Sequence, residues 1–177
     1  MSSPRREHME RAPKVLRFAL VTVSSSRYSA KLKGEEFSDE SQEKAIKLIR
    51  EGGHIVEVRD LVDDDVNMIR LRLIELIQKE DVDVVVFIGG TGFSKKDVTI
   101  EAVKPLLERE VEGFGELFRY LSFKEVGAAA FLSRATMGTI RDKVVMCLPG
   151  SPNAVKVALE NFLPELPHLL YLSLIHI

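Results

Sequence analysis

The sequence predicts a doubly wound α/β domain, a three-layer α/β/α sandwich around a mostly parallel central sheet. Three observations lead there. Val84-Val-Val-Phe-Ile88 is a short apolar run, rich in β-branched residues and without alternation, as in a strand covered by helices on both faces. That run stops at Gly89-Gly-Thr-Gly92, and a helical pattern resumes near Thr99, which puts the glycines at the carboxyl end of a central strand. Strand-like and helix-like segments alternate along the chain in a β-α-β-α-β rhythm, which calls for right-handed crossovers. With 177 residues, 45% of them hydrophobic, the chain suffices for one domain with a full core.

Taken in order, Met1 to Lys14 is polar and mixed in sign, and reads as a flexible N-terminal arm. Leu16 to Val23 is the first strand. It ends in Ser24-Ser-Ser-Arg27, which reads equally as a ligand-binding loop or a polar turn. Ser38 or Asp39 caps a helix whose apolar face is Ala45, Ile46, Leu48 and Ile49, and Gly52-Gly53 ends it. His54 to Arg59 alternates as a second strand, and Val66 to Lys79 is helical. Thr99 to Leu107 is a helix that Pro105 kinks or restarts. Gly113 to Leu121 starts with turn residues and continues as an amphipathic helix, while Gly127 to Leu132 reads as a small packed helix. Ser133, Arg134 and Gly138 fall in a loop, and a strand runs from Ile140 to Leu148. Pro149-Gly-Ser-Pro152 breaks it, and Asn153 to Leu163 is the last clear helix.

Composition excludes several functions. The 25 basic residues are balanced by 27 acidic ones, which argues against a polyanion-binding surface and so against nucleic acid as the main partner. No stretch is long and apolar enough to span a membrane, and the N-terminus lacks the apolar segment of a secretory signal, so the cytoplasm is the expected compartment. Cys147 lies in an apolar run and reads as a buried, inert thiol. His8, His54, His168 and His176 have no metal-ligand spacing and read as solvated or packed.

Two segments are candidates for chemistry. Gly89, Gly90, Thr91 and Gly92 read either as a tight turn with no ligand or as a loop that lets a ligand approach bare backbone N–H groups, where the helix start that follows favours phosphate. The loop is neither a Walker loop, which needs a second Gly-Lys, nor a dinucleotide fingerprint, since Lys95 stands where the last glycine belongs. Asp63-Asp-Asp65 puts three carboxylates at another strand-to-helix junction. One suffices as a helix cap, and three repel one another unless solvated or holding a cation such as Mg²⁺.

The order of the pieces then adds a resemblance. Gly89-Gly-Thr-Gly92, Asp97-Val-Thr99 with Glu101-Ala102, Gly113-Phe-Gly-Glu-Leu-Phe-Arg119, Leu132-Ser-Arg134 with Gly138, and Leu148-Pro-Gly-Ser-Pro152 together resemble the MoaB/Mog family of molybdenum-cofactor biosynthesis proteins. The resemblance runs from about Leu16 to Tyr171, making residues 15–172 one molybdopterin-binding-like domain. Residues 173–177 then form a tail past the usual family end, for which a native and a non-native origin both stay open. It implies binding of molybdopterin and transfer of AMP from Mg²⁺-ATP to its terminal phosphate, in a trimer or a hexamer, with other cofactor-biosynthesis proteins as further partners. By the same resemblance Asp64 and Asp97 are the catalytic, metal-binding carboxylates, with Asp63 and Asp65 as alternatives to Asp64. Ser24, Ser26 and Arg27 sit near phosphate or pterin, and Ser133, Pro149, Gly150 and Ser151 form another wall. Lys95 and Lys96 read equally as phosphate contacts or a solvated pair. Two other classes stay open: a molybdopterin carrier without catalysis, and a nucleotide-pyrophosphate hydrolase like the competence-damage proteins that share this domain.

Overall fold

Both faces of one sheet are apolar, and helices cover each. The computed structural model describes residues 4–174. Helix α1 (Pro4–Arg11) precedes β1 (Arg17–Val23), α2 (Ser25–Lys33), α3 (Glu40–Glu51), β2 (Ile55–Val62), α4 (Val66–Ile77) and β3 (Val84–Ile88). Then follow α5 (Thr99–Val103), β4 (Arg109–Glu110), α6 (Glu112–Val126), β5 (Thr136–Ile140), β6 (Lys143–Leu148), α7 (Pro152–Phe162) and α8 (Leu166–Leu174). The sheet order is β2-β1-β3-β6-β5-β4. The pairs among β2, β1, β3 and β6 are parallel, and β5 and β4 add on antiparallel.

Period-two geometry explains why the strands read as unbroken apolar runs. Phe18, Leu20, Val84, Val86 and Ile88 point to one side and pack with Ile46, Ile49, Phe118, Val155 and Leu159 of α3, α6 and α7. Ala19, Val21, Val85 and Phe87 point to the other and pack with Ile69, Leu73 and Leu76 of α4 and Ala102 of α5. Cys147 belongs to this second face; it is fully buried, and burial pushes its thiol pKa up, keeping it an unreactive thiol.

Several elements differ from the sequence reading, each for a physical reason. The arm contains a helix, α1, whose His8 ring lies against His168 and Tyr171 of α8, a long-range contact that local composition does not encode. Ser24 to Arg27 is neither loop nor simple turn: Ser24 caps α2, and that helix buries no residue, so no apolar periodicity marks it. The strand expected over Ile140 to Leu148 is a hairpin, turning at Arg141, which adopts φ 53°. Gly138 lies in β5 rather than a loop, and its missing Cβ admits the backbone of Arg109 in β4, a two-residue strand too short to show a pattern. Pro105 stops α5 at Val103 and starts a 3₁₀ turn. Gly127–Leu132 is 3₁₀ and mostly exposed, with Phe131 at 74%. Pro164 and Pro167 mask α8 in the sequence, although Pro167 sits in its first turn, where no amide is needed.

His54 is buried and its Nδ1 accepts the Leu16 N–H at 3.1 Å. Burial lowers its pKa below the ordinary 6.5. The unfolded chain therefore takes up a proton that the folded chain resists. The stability that neutral His54 contributes is complete above pH 6.5 and is lost as pH falls through the depressed folded value. Urea midpoints should fall from pH 7 to pH 5, and His54→Gln should flatten that slope; an unchanged slope would remove His54 as the cause.

Candidate functional site

The strand order reverses between β1 and β3, and the carboxyl ends there open a crevice, where open α/β sheets take ligands. A cavity of about 570 Å³ fills it, floored by Gly89 to Gly92 after β3. Gly89 and Gly90 have φ of 109° and 63°, a region that side chains rarely enter. The turn is tied down from below, since the Thr99 hydroxyl donates to Gly89 O at 2.8 Å and Thr99 N–H to Gly90 O at 2.9 Å. Among the described residues no protein acceptor takes the amides of Gly90, Thr91, Gly92 or Phe93. Four free donors in one turn suit phosphate oxygens. The expected contribution of the following helix start is small, because α5 is only five residues long.

The three carboxylates of the acidic cluster have three different jobs. Asp65 Oδ1 accepts Met68 N–H at 2.8 Å and caps α4. Asp63 Oδ1 accepts the Asp64 N–H at 2.8 Å. Asp64 alone of the three lines the cavity, and its Oδ2 accepts the Ser25 N–H at 2.7 Å and the Ser25 hydroxyl at 3.0 Å. Asp65→Ala should cost about 1 kcal/mol in denaturant unfolding with catalysis retained, as loss of a cap does; a larger loss of activity than of stability would give Asp65 a place in the chemistry.

Asp97 lines the same cavity and reaches back to its own loop, accepting Ser94 N–H at 2.8 Å. A Cβ on Gly90 would lie 2.9 Å from Asp64 Oδ1, and one on Gly92 2.8 Å from Asp97 Oδ2. The two carboxylates therefore press on different glycines of one turn. Ser24, Arg27, Ser133, Pro149, Gly150 and Ser151 also line the cavity. Ser26 does not, but its hydroxyl lies 3.2 Å from that of Ser24. Arg27 is anchored through Nε on Ser38 O at 2.8 Å. Lys95 and Lys96 are exposed and outside the lining.

Sequence reasoning missed part of this wall. Thr22 donates to Asp39, Asp39 caps α3, and Ser41 donates to Gly150 O at 2.6 Å, so the Pro149–Ser151 turn is fixed to the other side of the cavity. Val126, Ala129, Ala130 and Leu132 supply an apolar side. The hydroxyls at Thr22 and Ser41 look like ordinary strand and cap residues in the sequence; only the topology gathers them. Arg134, known from its motif but given no role, lies behind the glycine loop and pairs with Glu101. Burial works against the Glu101 charge, but the hydrogen bonds from Arg134 and the backbone, with the guanidinium charge, outweigh it and hold the carboxyl below 4.5.

A doubly wound α/β domain with bare amides and two carboxylates facing one crevice is of the class built to take phosphorylated ligands. The chain belongs to the molybdopterin-binding-domain family: the model described as "Probable molybdopterin binding domain" matches residues 19–168. It is 46% identical over 167 residues to molybdenum cofactor biosynthesis protein B of Bacillus cereus, covering 93% of this chain and 95% of that one. It is 40% identical over 162 residues to a probable molybdopterin adenylyltransferase of Methanocaldococcus jannaschii, covering 92% and 96%. The fold matches the crystal structure of the tungsten cofactor synthesizing protein MoaB from Pyrococcus furiosus with a TM-score of 0.77 at 40% identity, over 92% of this chain and 99% of that one.

Proposed function

We propose that this protein adenylylates molybdopterin in molybdenum- or tungsten-cofactor biosynthesis. A terminal phosphate oxygen of molybdopterin attacks the α-phosphorus of ATP, the new P–O bond forms, the bond to the β-phosphate bridge breaks, and pyrophosphate leaves. The observation that carries this reading is the single cavity in which Asp64 and Asp97 flank an amide-bare glycine turn. The names of the Methanocaldococcus jannaschii and Pyrococcus furiosus relatives support the substrate.

The donor set fits Mg²⁺. Among the described residues no three His, Cys, Asp or Glu side chains gather as a cage, and Mg²⁺ needs none, since it keeps waters and phosphates beside one or two carboxylates. The glycines leave room beside Asp64 Oδ1 and Asp97 Oδ2 that a Cβ would fill. Bound there, the ion would neutralise triphosphate charge. The chain does the rest. Ser25 holds Asp64 through Oδ2, and the Ser94 amide holds Asp97, so neither carboxylate must reorganise when ligand arrives. The free amides of the turn receive phosphate oxygens, and Ser133 with Pro149, Gly150 and Ser151 bound the other side.

Assembly as a trimer or a hexamer is part of the proposal. Leu117, Tyr120, Phe123, Val126 and Phe131 are more than half exposed on α6 and the turn after it, an apolar face that further copies would cover; light scattering measures it. Among the described residues no helix is long and apolar enough to cross a membrane. The function is tested by pyrophosphate release from Mg²⁺-ATP with and without molybdopterin. Pterin-dependent release is expected. Pterin binding without release would replace the enzyme with a carrier.

A further inference from the structure

Arg134 enters the site from outside it. Its side chain lines no part of the cavity, yet it holds the loop that floors the cavity from behind. Nε donates to Thr91 O at 3.0 Å, and Nη2 donates to Gly92 O and, at 3.1 Å, to Asp97 O. These carbonyls belong to the two limbs of the loop, so one planar cation closes it at the base. Glu101 then fixes the other side of the guanidinium, and the Phe93 ring lies 5.2 Å from its carbon.

The peptide bonds here are trans, so a carbonyl turned toward Arg134 turns the N–H of the next residue away from it. Holding Thr91 O and Gly92 O therefore fixes the direction of the Gly92 and Phe93 amides, two of the four free donors. Holding Asp97 O fixes the backbone from which the second carboxylate projects. We propose that Arg134 is the positioning residue of this site, setting the loop amides and Asp97 for phosphate without touching the ligand. This rests on the adenylyltransferase reading for its rate effects and on phosphate binding alone for its affinity effects.

The geometry also says which substitute fails. A lysine keeps the charge, but one compact ammonium does not reproduce a flat fork across three carbonyls. Arg134→Lys should keep a melting temperature near wild type while kcat falls about a hundredfold, the scale of an ångström misplacement. Its affinity for inorganic pyrophosphate, measured by calorimetry, should fall about tenfold, the loss expected from about one misaligned hydrogen bond. Glu101→Gln leaves the three carbonyl contacts in place and should retain most of both. Arg134→Lys with wild-type kcat and pyrophosphate affinity would overturn the proposal. So would Glu101→Gln matching the Arg134→Lys loss, because the ion pair and not the carbonyl clamp would then be responsible. A wild type that binds pyrophosphate but releases none from ATP ends the enzyme reading, while the affinity comparison still decides the clamp. A wild type with no pyrophosphate affinity would overturn the clamp itself.

Discussion

Asp64→Asn and Asp97→Asn are each expected to lower pterin-dependent pyrophosphate release by about 10²–10³-fold, the range seen when a preorganised charge-stabilising group is removed. The amide is the same size as the carboxylate. At residue 64 its oxygen can still accept from Ser25 N–H, and at residue 97 from Ser94 N–H. Fold and loop should therefore persist, and circular dichroism melts of both variants should stay close to wild type. What is lost is negative charge beside the glycine turn. Asp63→Asn and Asp65→Asn serve as the comparison, since Asp63 bonds a neighbouring amide and Asp65 caps α4. Both should keep most of the rate. If Asp64→Asn retained activity while Asp63→Asn or Asp65→Asn lost it, the first carboxylate would have to move within the cluster.

How far the site could be read from the sequence follows from how local its causes are. The glycine turn was legible because Val84 to Ile88 is buried on both faces, which leaves an unbroken apolar run that ends abruptly at Gly89. The layered fold was legible for the same reason, and the match to known structures bears that architecture out. Which of three adjacent aspartates faces the cavity was not legible from the local pattern, and only the family resemblance favoured Asp64, the one that lines it. Their roles depend on where α2 brings the Ser25 amide, and α2 leaves no trace in a hydrophobic pattern because none of its side chains is buried. The antiparallel hairpin was hidden because Met137 and Ile140 of β5, and Val144 to Leu148 of β6, are all buried, so strand and turn read as one run. Thr22 acts through the Asp39 carboxylate, and Ser41 and Arg134 through backbone carbonyls far away in sequence. Such contacts are a consequence of topology and have no local signature.

Gly90→Ala should be strongly damaging for the addition of a single methyl group. At φ 63° an L-residue is strained by about 1–2 kcal/mol before any contact is counted. The new Cβ would also press on the Thr99 hydroxyl, lie 2.9 Å from Asp64 Oδ1 and 3.2 Å from Val23 Cγ1. Crowding in a packed site adds about 1–3 kcal/mol. The total, about 2–5 kcal/mol, corresponds to a melting temperature lower by roughly 4–20 °C for a chain of this size. Gly53→Ala separates the two contributions, because Gly53 has φ 80° and nothing within 4 Å of its Cβ position. That variant carries the strain without the crowding, and it lies at the end of α3, away from the cavity lining. Gly90→Ala should therefore be clearly less stable than Gly53→Ala, and at equal temperature it should also lose pyrophosphate release that Gly53→Ala keeps. Equal melting temperatures would mean that Thr99 and Asp64 move aside freely. Equal activity would mean that their positions beside the turn do not matter to the chemistry, and the pairing of carboxylates with glycines would lose its functional reading.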